Sequence, residues 1–285
     1  MNPLQRDQAI AQIPRRPLVR YHGGKWRLAP WIIQHLPAHR VYVEPFGGGG
    51  SVLLRKPRSY AEIYNDLDGE IVNLFRQARD NGDALTRAVE LTPFARAEFT
   101  EAYAPHGDLL EQAKRTLIRS FMGFGADAVT GKASGFRANS RRTGTIPAHD
   151  WMNFPANMRE VVQRLRGVVI ENRDAMDVMR AHDCDEAVHY VDPPYVHSTR
   201  SGHRPSHTYR YELSDPQHRE LAAGLRKLRG AVLLSGYRSP LYDELYGDWR
   251  RFDKNTHADG ARERVESLWL SRGAPKPSLL QECTP

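Results

Sequence analysis

Cysteine is almost absent: Cys184 and Cys283 are the only two in 285 residues and lie far apart, so no disulfide framework is possible and a reducing, cytoplasmic location is expected. Long hydrophobic runs are missing too. Stretches such as Ala231 to Leu234 fall far short of the roughly 18 residues that a membrane span requires. No apolar core follows Arg15-Arg16, so no export signal is expected. There are no repeats and no low-complexity tracts. With 40% hydrophobic and 26% charged residues the composition is globular, which excludes general disorder. The length suggests about two domains.

Acids are scarce in one stretch. The chain carries 41 Lys+Arg against 34 Asp+Glu, a net charge of +7. Between Gln112 and Ile170 ten cations face only Asp127, Asp150 and Glu160, so this segment accounts for the whole excess. Gly131 to Gly144 holds Lys132, Arg137, Arg141 and Arg142 with no acid, amid glycines and small polar residues including Asn139. That is a loop or hairpin composition. It suits a polyanion contact through phosphate neutralisation, and equally a solvated surface loop.

Periodicity predicts strands at 41–43, 60–64, 168–170, 188–191 and 231–234, with late strands near 249–252 and 265–270. Helices are predicted at 25–36, 51–54, 67–79, 174–182 and 216–228, and residues 83 to about 165 read as mostly helical. Short apolar strands alternating with helices imply an α/β fold with a mostly parallel sheet, into which the basic helical stretch is inserted. The expected boundaries are a catalytic domain of residues 1–82 and 165–285 and an inserted domain of 83–164. In such sheets ligands sit beyond the carboxyl ends of the strands, and Glu44 to Gly50, Asn65-Asp66 and Asp192 to Tyr195 all fall there.

The glycines Gly47 to Gly50 allow close backbone approach to a ligand. They match neither the dinucleotide fingerprint, whose third position falls on Val52, nor a phosphate-binding loop. An adenosine-bearing ligand without a pyrophosphate fits better. Asp66, at the second strand's end, is placed either to accept ribose hydroxyls or to cap the next helix. Asp192-Pro193-Pro194-Tyr195 is the most informative segment. Two prolines make a rigid wall that accepts but does not donate hydrogen bonds, preceded by a carboxylate and followed by an aromatic face. A planar ring-attached amine fits it: its hydrogens go to Asp192 and the Pro193 carbonyl, its ring lies on Tyr195, and its lone pair is freed for attack. Cys184 sits between Asp183 and Asp185, which disfavours a thiolate and so excludes carbon-5 cytosine chemistry. His197, His203 and His207 raise the question of a metal, but Pro205 breaks the helix that would align the last two, and a polar flap is expected.

At these residues the chain resembles the Dam-like adenine-specific DNA methyltransferases, with the cofactor loop first, the recognition region next and Asp-Pro-Pro-Tyr last. The matching pieces are Tyr21 to Lys25, Glu44 to Gly50, Asn65-Asp66 and Asp192 to Tyr195. The resemblance implies a Rossmann-like S-adenosylmethionine-dependent methyltransferase fold with a helical target-recognition domain. It places S-adenosylmethionine on Glu44, Pro45, Phe46, Gly47, Gly48 and Gly49, with Phe46 facing the sulfonium. Its ribose would go to Asp66, its adenine amine to Asp174, and its amino-acid end to Tyr21 and Lys25. Asp192, Pro193, Pro194 and Tyr195 would hold an adenine flipped out of double-stranded DNA, and no metal is implied. Lys132, Arg137, Asn139, Arg141 and Arg142 would contact the DNA. A monomer is expected. Asp-Pro-Pro-Tyr also occurs in enzymes that methylate the cytosine amine, and a DNA-binding relative without catalysis is the other alternative. A protein-glutamine methylase would typically carry Asn at position 192.

Overall fold

In a computed structural model, residues 13–125, 134–138, 145–199, 210–257 and 263–272 are described. The chain divides into two compact units.

One unit comprises Arg27–Gly47, Pro57–Asp68 and Val168–Pro285 and contains a seven-stranded sheet. Its strands are β1 (Val41–Glu44), β2 (Ala61–Asn65), β3 (Val168–Glu171), β4 (Ala187–Val191), β5 (Ala231–Gly236), β6 (Arg250–His257) and β7 (Glu263–Leu270). The order is β3-β2-β1-β4-β5-β7-β6, parallel from β3 to β5, with β7 antiparallel to both of its neighbours. β4 is buried along its whole length, which is why its sequence is apolar apart from the buried His189 rather than alternating. Val43, Ile63, Val191, Leu234 and Trp269 pack with Val178, Leu221, Leu225, Tyr242 and Tyr246 to form the core. These last residues come from α9 (Ala175–Ala181), α10 (Asp215–Leu225) and α11 (Pro240–Tyr246), and α1 (Ala29–Gln34) completes this unit's described helices. Ser214 and Gln217 form a capping box on α10, and Ser239 accepts from the Tyr242 amide at the start of α11.

The other unit comprises Met1–Trp26, Gly48–Lys56 and Gly69–Gly167. Its helices are α2 (Ser51–Arg55), α3 (Gly69–Asp80), α4 (Gly82–Glu90), α5 (Arg96–Glu101), α6 (Leu109–Met122), α7 (Pro147–Met152) and α8 (Phe154–Leu165). Ile71, Leu74, Phe75, Leu117, Phe154, Met158 and Val161 are buried in it. Besides the helices expected within 83–164 this unit takes in α2 and α3, and α3 packs on α6 and α8.

Two local readings differ from expectation. α1 begins at Ala29, not Lys25, because a turn closed from the Gly24 amide to the Tyr21 carbonyl precedes it and Pro30 sits at its first turn. α11 was not anticipated, being a single seven-residue helix.

Candidate active site

Strands β1 and β4 are neighbours from which the chain proceeds in opposite directions across the sheet, so the switch point lies at their carboxyl ends. β1 delivers Glu44, which is buried and accepts from the Tyr42 hydroxyl at 2.7 Å. The chain then turns through Pro45 and Phe46 to Gly47, whose amide donates to the Asn65 carbonyl at 2.7 Å. A Cβ on Gly47 would lie 2.2 Å from the Tyr64 ring. The missing side chain therefore makes room for a buried tyrosine of β2, not only for a ligand.

Asn65 fastens this loop. Its Nδ2 donates to the Pro45 carbonyl at 2.9 Å and to the Arg173 carbonyl at 3.0 Å, and its Oδ1 accepts from the Arg173 amide at 2.9 Å. One fully buried amide thus ties the ends of β1, β2 and β3 together. Asp66 follows, and its Oδ1 accepts from the Asp68 amide at 2.8 Å. The Asp68 carboxylate, itself buried, is paired with Arg210 at 2.8 Å. Asp174 caps α9, accepting from the amides of Met176 and Asp177 on one oxygen.

β4 delivers Asp192, which accepts from the Ser235 hydroxyl of β5 at 2.6 Å. Ser235 is fully buried and within 3.2 Å of the Tyr190 hydroxyl. Pro193 is buried. Tyr195 is also buried, donates its hydroxyl to Glu266 of β7, and meets Tyr237 edge to face at 4.7 Å. Burial, then the carboxylates of Asp192 and Glu266, push the Tyr195 phenol well above its usual range. Burial and then Asp192 do the same for Tyr190, and burial and then Glu44 for Tyr42. These hydroxyls stay protonated, and those of Tyr42 and Tyr195 donate to Glu44 and Glu266.

In the helical unit Tyr21 lies against Gly48 and Gly49 of the glycine run. Gly48 has φ of 47°, and a Cβ there would meet the Tyr21 ring at 2.8 Å. Gly49 lies against the Tyr21 Cβ. Lys25 is buried, and its ammonium donates to the Gly23 carbonyl at 2.8 Å.

The sheet unit therefore gathers Glu44, Pro45, Phe46, Gly47, Asp66, Asp174 and Asp192 to Tyr195 along one edge, while Tyr21, Lys25, Gly48 and Gly49 fall in the helical unit. Lys132, Asn139, Arg141, Arg142, His203 and His207 lie outside the described residues. Arg137 is buried and donates to the Phe121 carbonyl at 3.1 Å, a structural use of its charge. Arg115, Arg119 and Arg164 of the basic segment are buried as well, and Glu101 and Glu70, which precede that segment, pair with the first two. The segment's charge excess is thus partly neutralised inside the fold. Sequence reasoning missed Ser235 and Glu266, which reach Asp192 and Tyr195 only through the strand order. Their one local signal is a polar residue at an inward strand position.

A parallel sheet with an appended antiparallel strand, a glycine loop after β1 and an Asp-Pro-Pro-Tyr segment after β4 define an S-adenosylmethionine-dependent methyltransferase fold. Residues 21–259 match the family model for D12 class N6 adenine-specific DNA methyltransferases, and the chain belongs to that family. It is similar to the Type II methyltransferase M1.LlaDCHI of Lactococcus lactis subsp. cremoris, 27% identical over 87% of this chain and 89% of the relative. It is also similar to the DNA adenine methylase of Escherichia coli K12 (26% identical over 81% of this chain and 84% of the relative). The Type II methyltransferase M.MjaIII of Methanocaldococcus jannaschii is 25% identical, covering 81% and 88%. The target is therefore the adenine amine, and nothing favours the cytosine amine or an inactive relative. Among the described residues no helix is long and apolar enough to cross a membrane.

Proposed function

We propose that methylation of adenine in DNA is carried out at the carboxyl edge of β4 by Asp192, Pro193, Pro194 and Tyr195. S-adenosylmethionine, when bound, supplies an electrophilic methyl group on a sulfonium. The donor set fits it: a carboxylate after β2 for a ribose diol, another after β3 for an adenine amine, and the half-buried Phe46 between loop and sheet. We assign Glu44, Pro45, Phe46, Gly47, Asp66 and Asp174 to it, together with Gly48, Gly49, Tyr21 and Lys25 by family resemblance.

Asp192 and the Pro193 carbonyl accept the two hydrogens of the target amine, which withdraws its lone pair from the ring. Ser235 holds one Asp192 oxygen and so fixes how the carboxylate is turned toward the amine. Asp192 then holds the proton that the amine releases. Tyr195 offers the face on which an adenine extruded from the duplex stacks, at an unstacking cost of a few kcal/mol. Residues 83–164 are the target-recognition region, with Lys132, Asn139, Arg141 and Arg142 carrying the phosphate and base contacts. Every residue invoked comes from one chain, so the proposal needs no second copy.

The hydrogen-bonded Asp192 at the switch point is the observation that carries this reading. Asp192→Ala is expected to abolish methyl transfer, by about a thousandfold or more, with S-adenosylmethionine affinity by calorimetry changed only a few fold. Retained methyl transfer would remove Asp192 from the chemistry.

A further inference from the structure

β7 runs against the other strands, and this lets it reach where they stop. It pairs with β5 only from Gly236↔Ser267 to Leu233↔Leu270, but with β6 along its full length, from His257↔Glu263 to Arg250↔Leu270. Residues 263–266 therefore continue past the carboxyl end of β5, on the edge where β4 delivers Asp192 to Tyr195. Alternate residues of a strand share a face, and Arg264 and Glu266 use theirs on two tyrosines. Glu266, 3% exposed, accepts the Tyr195 hydroxyl. Arg264 donates to the Tyr237 hydroxyl at 3.2 Å and lies 5.4 Å from that ring's centre. The two rings meet edge to face at 76°. Val265, between them, faces solvent.

A carboxylate is a poor choice for a buried strand position, because burying its charge is costly unless it is hydrogen-bonded. An apolar residue would fill the space more stably but would offer the Tyr195 hydroxyl no acceptor.

We propose that Glu266 is a positioning residue for the target adenine: through the Tyr195 hydroxyl it fixes the plane on which the extruded base stacks. This rests on the reading of Tyr195 as the stacking face.

Tyr195→Phe keeps the ring and removes the tie. It is expected to lower kcat/KM for DNA about tenfold, in line with the cost of small misplacements. The loss should come through KM for DNA, with a weaker signal from a fluorescent adenine analogue at the target position. S-adenosylmethionine affinity should change little. The same variant deprives buried Glu266 of a donor and lowers the melting temperature. In Tyr195→Phe/Glu266→Gln the charge is gone but the ring is still untied, so stability should return while kcat/KM for DNA stays low. Recovery of both would make Glu266 a merely structural partner and overturn the proposal. Glu266→Gln alone keeps an acceptor and should retain most of the activity. Tyr195→Ala separates the two ideas. Wild-type activity in Tyr195→Ala would sink the stacking reading, whereas an inactive Tyr195→Ala beside an unaffected Tyr195→Phe would sink only the role of Glu266.

Discussion

Each of three carboxylates along the β1–β4–β5–β7 edge has its own hydroxyl donor: Tyr42 for Glu44, Ser235 for Asp192 and Tyr195 for Glu266. Hydrogen bonds to charged groups contribute about 1.5–3 kcal/mol, enough for Ser235 to fix the orientation of the Asp192 carboxylate. Ser235→Ala is therefore expected to slow single-turnover methylation about tenfold or more, with DNA and S-adenosylmethionine affinities little changed. An unaltered rate would leave Ser235 with no part in the chemistry. Asp192 to Tyr195 were legible in the sequence as a segment just beyond a strand, because a strand-like run from Val188 to Val191 is ended there by a carboxylate and two prolines. Ser235 and Glu266 were not, since nothing near them in the chain says that β5 lies beside β4 or β7 beside β5.

At the scale of elements, the turn after β1 is shaped by tyrosines. Tyr64 fills the space that a Gly47 side chain would take, and Tyr64 is itself fully buried and cannot retreat. Gly47→Ala is expected to cost about 1–3 kcal/mol through overpacking and to weaken S-adenosylmethionine binding by displacing the loop, read by thermal unfolding and calorimetry. An unchanged melting temperature would mean that the ring yields. The parallel strands were legible because each carries a short run rich in β-branched, aliphatic or aromatic residues. β6 was legible only in its first residues: it runs from Arg250 to His257 as an exposed edge strand rich in charge, without the alternation that marks a half-buried one. The bounds of α1 were misjudged because Leu28, Ile32 and Leu36 share a helical spacing although only Ala29–Gln34 is helix.

For the whole molecule, the net charge of +7 predicts DNA binding that weakens as salt rises. Arg141→Ala with Arg142→Ala should flatten that dependence, each lost phosphate contact removing about 0.9 from the logarithmic slope. An unchanged slope would place the DNA elsewhere. That residues 83 to about 165 are mostly helical was legible; that the helix from Gly69 to Asp80, which follows β2 as a crossover helix would, packs on α6 and α8 was not. The chain passes between its two units at five points, after residues 26, 47, 56, 68 and 167. No single cut can therefore release either unit whole. Exchanging one contiguous segment would carry only part of the helical unit's core, so a chimaera that keeps its fold must transplant three separate stretches together.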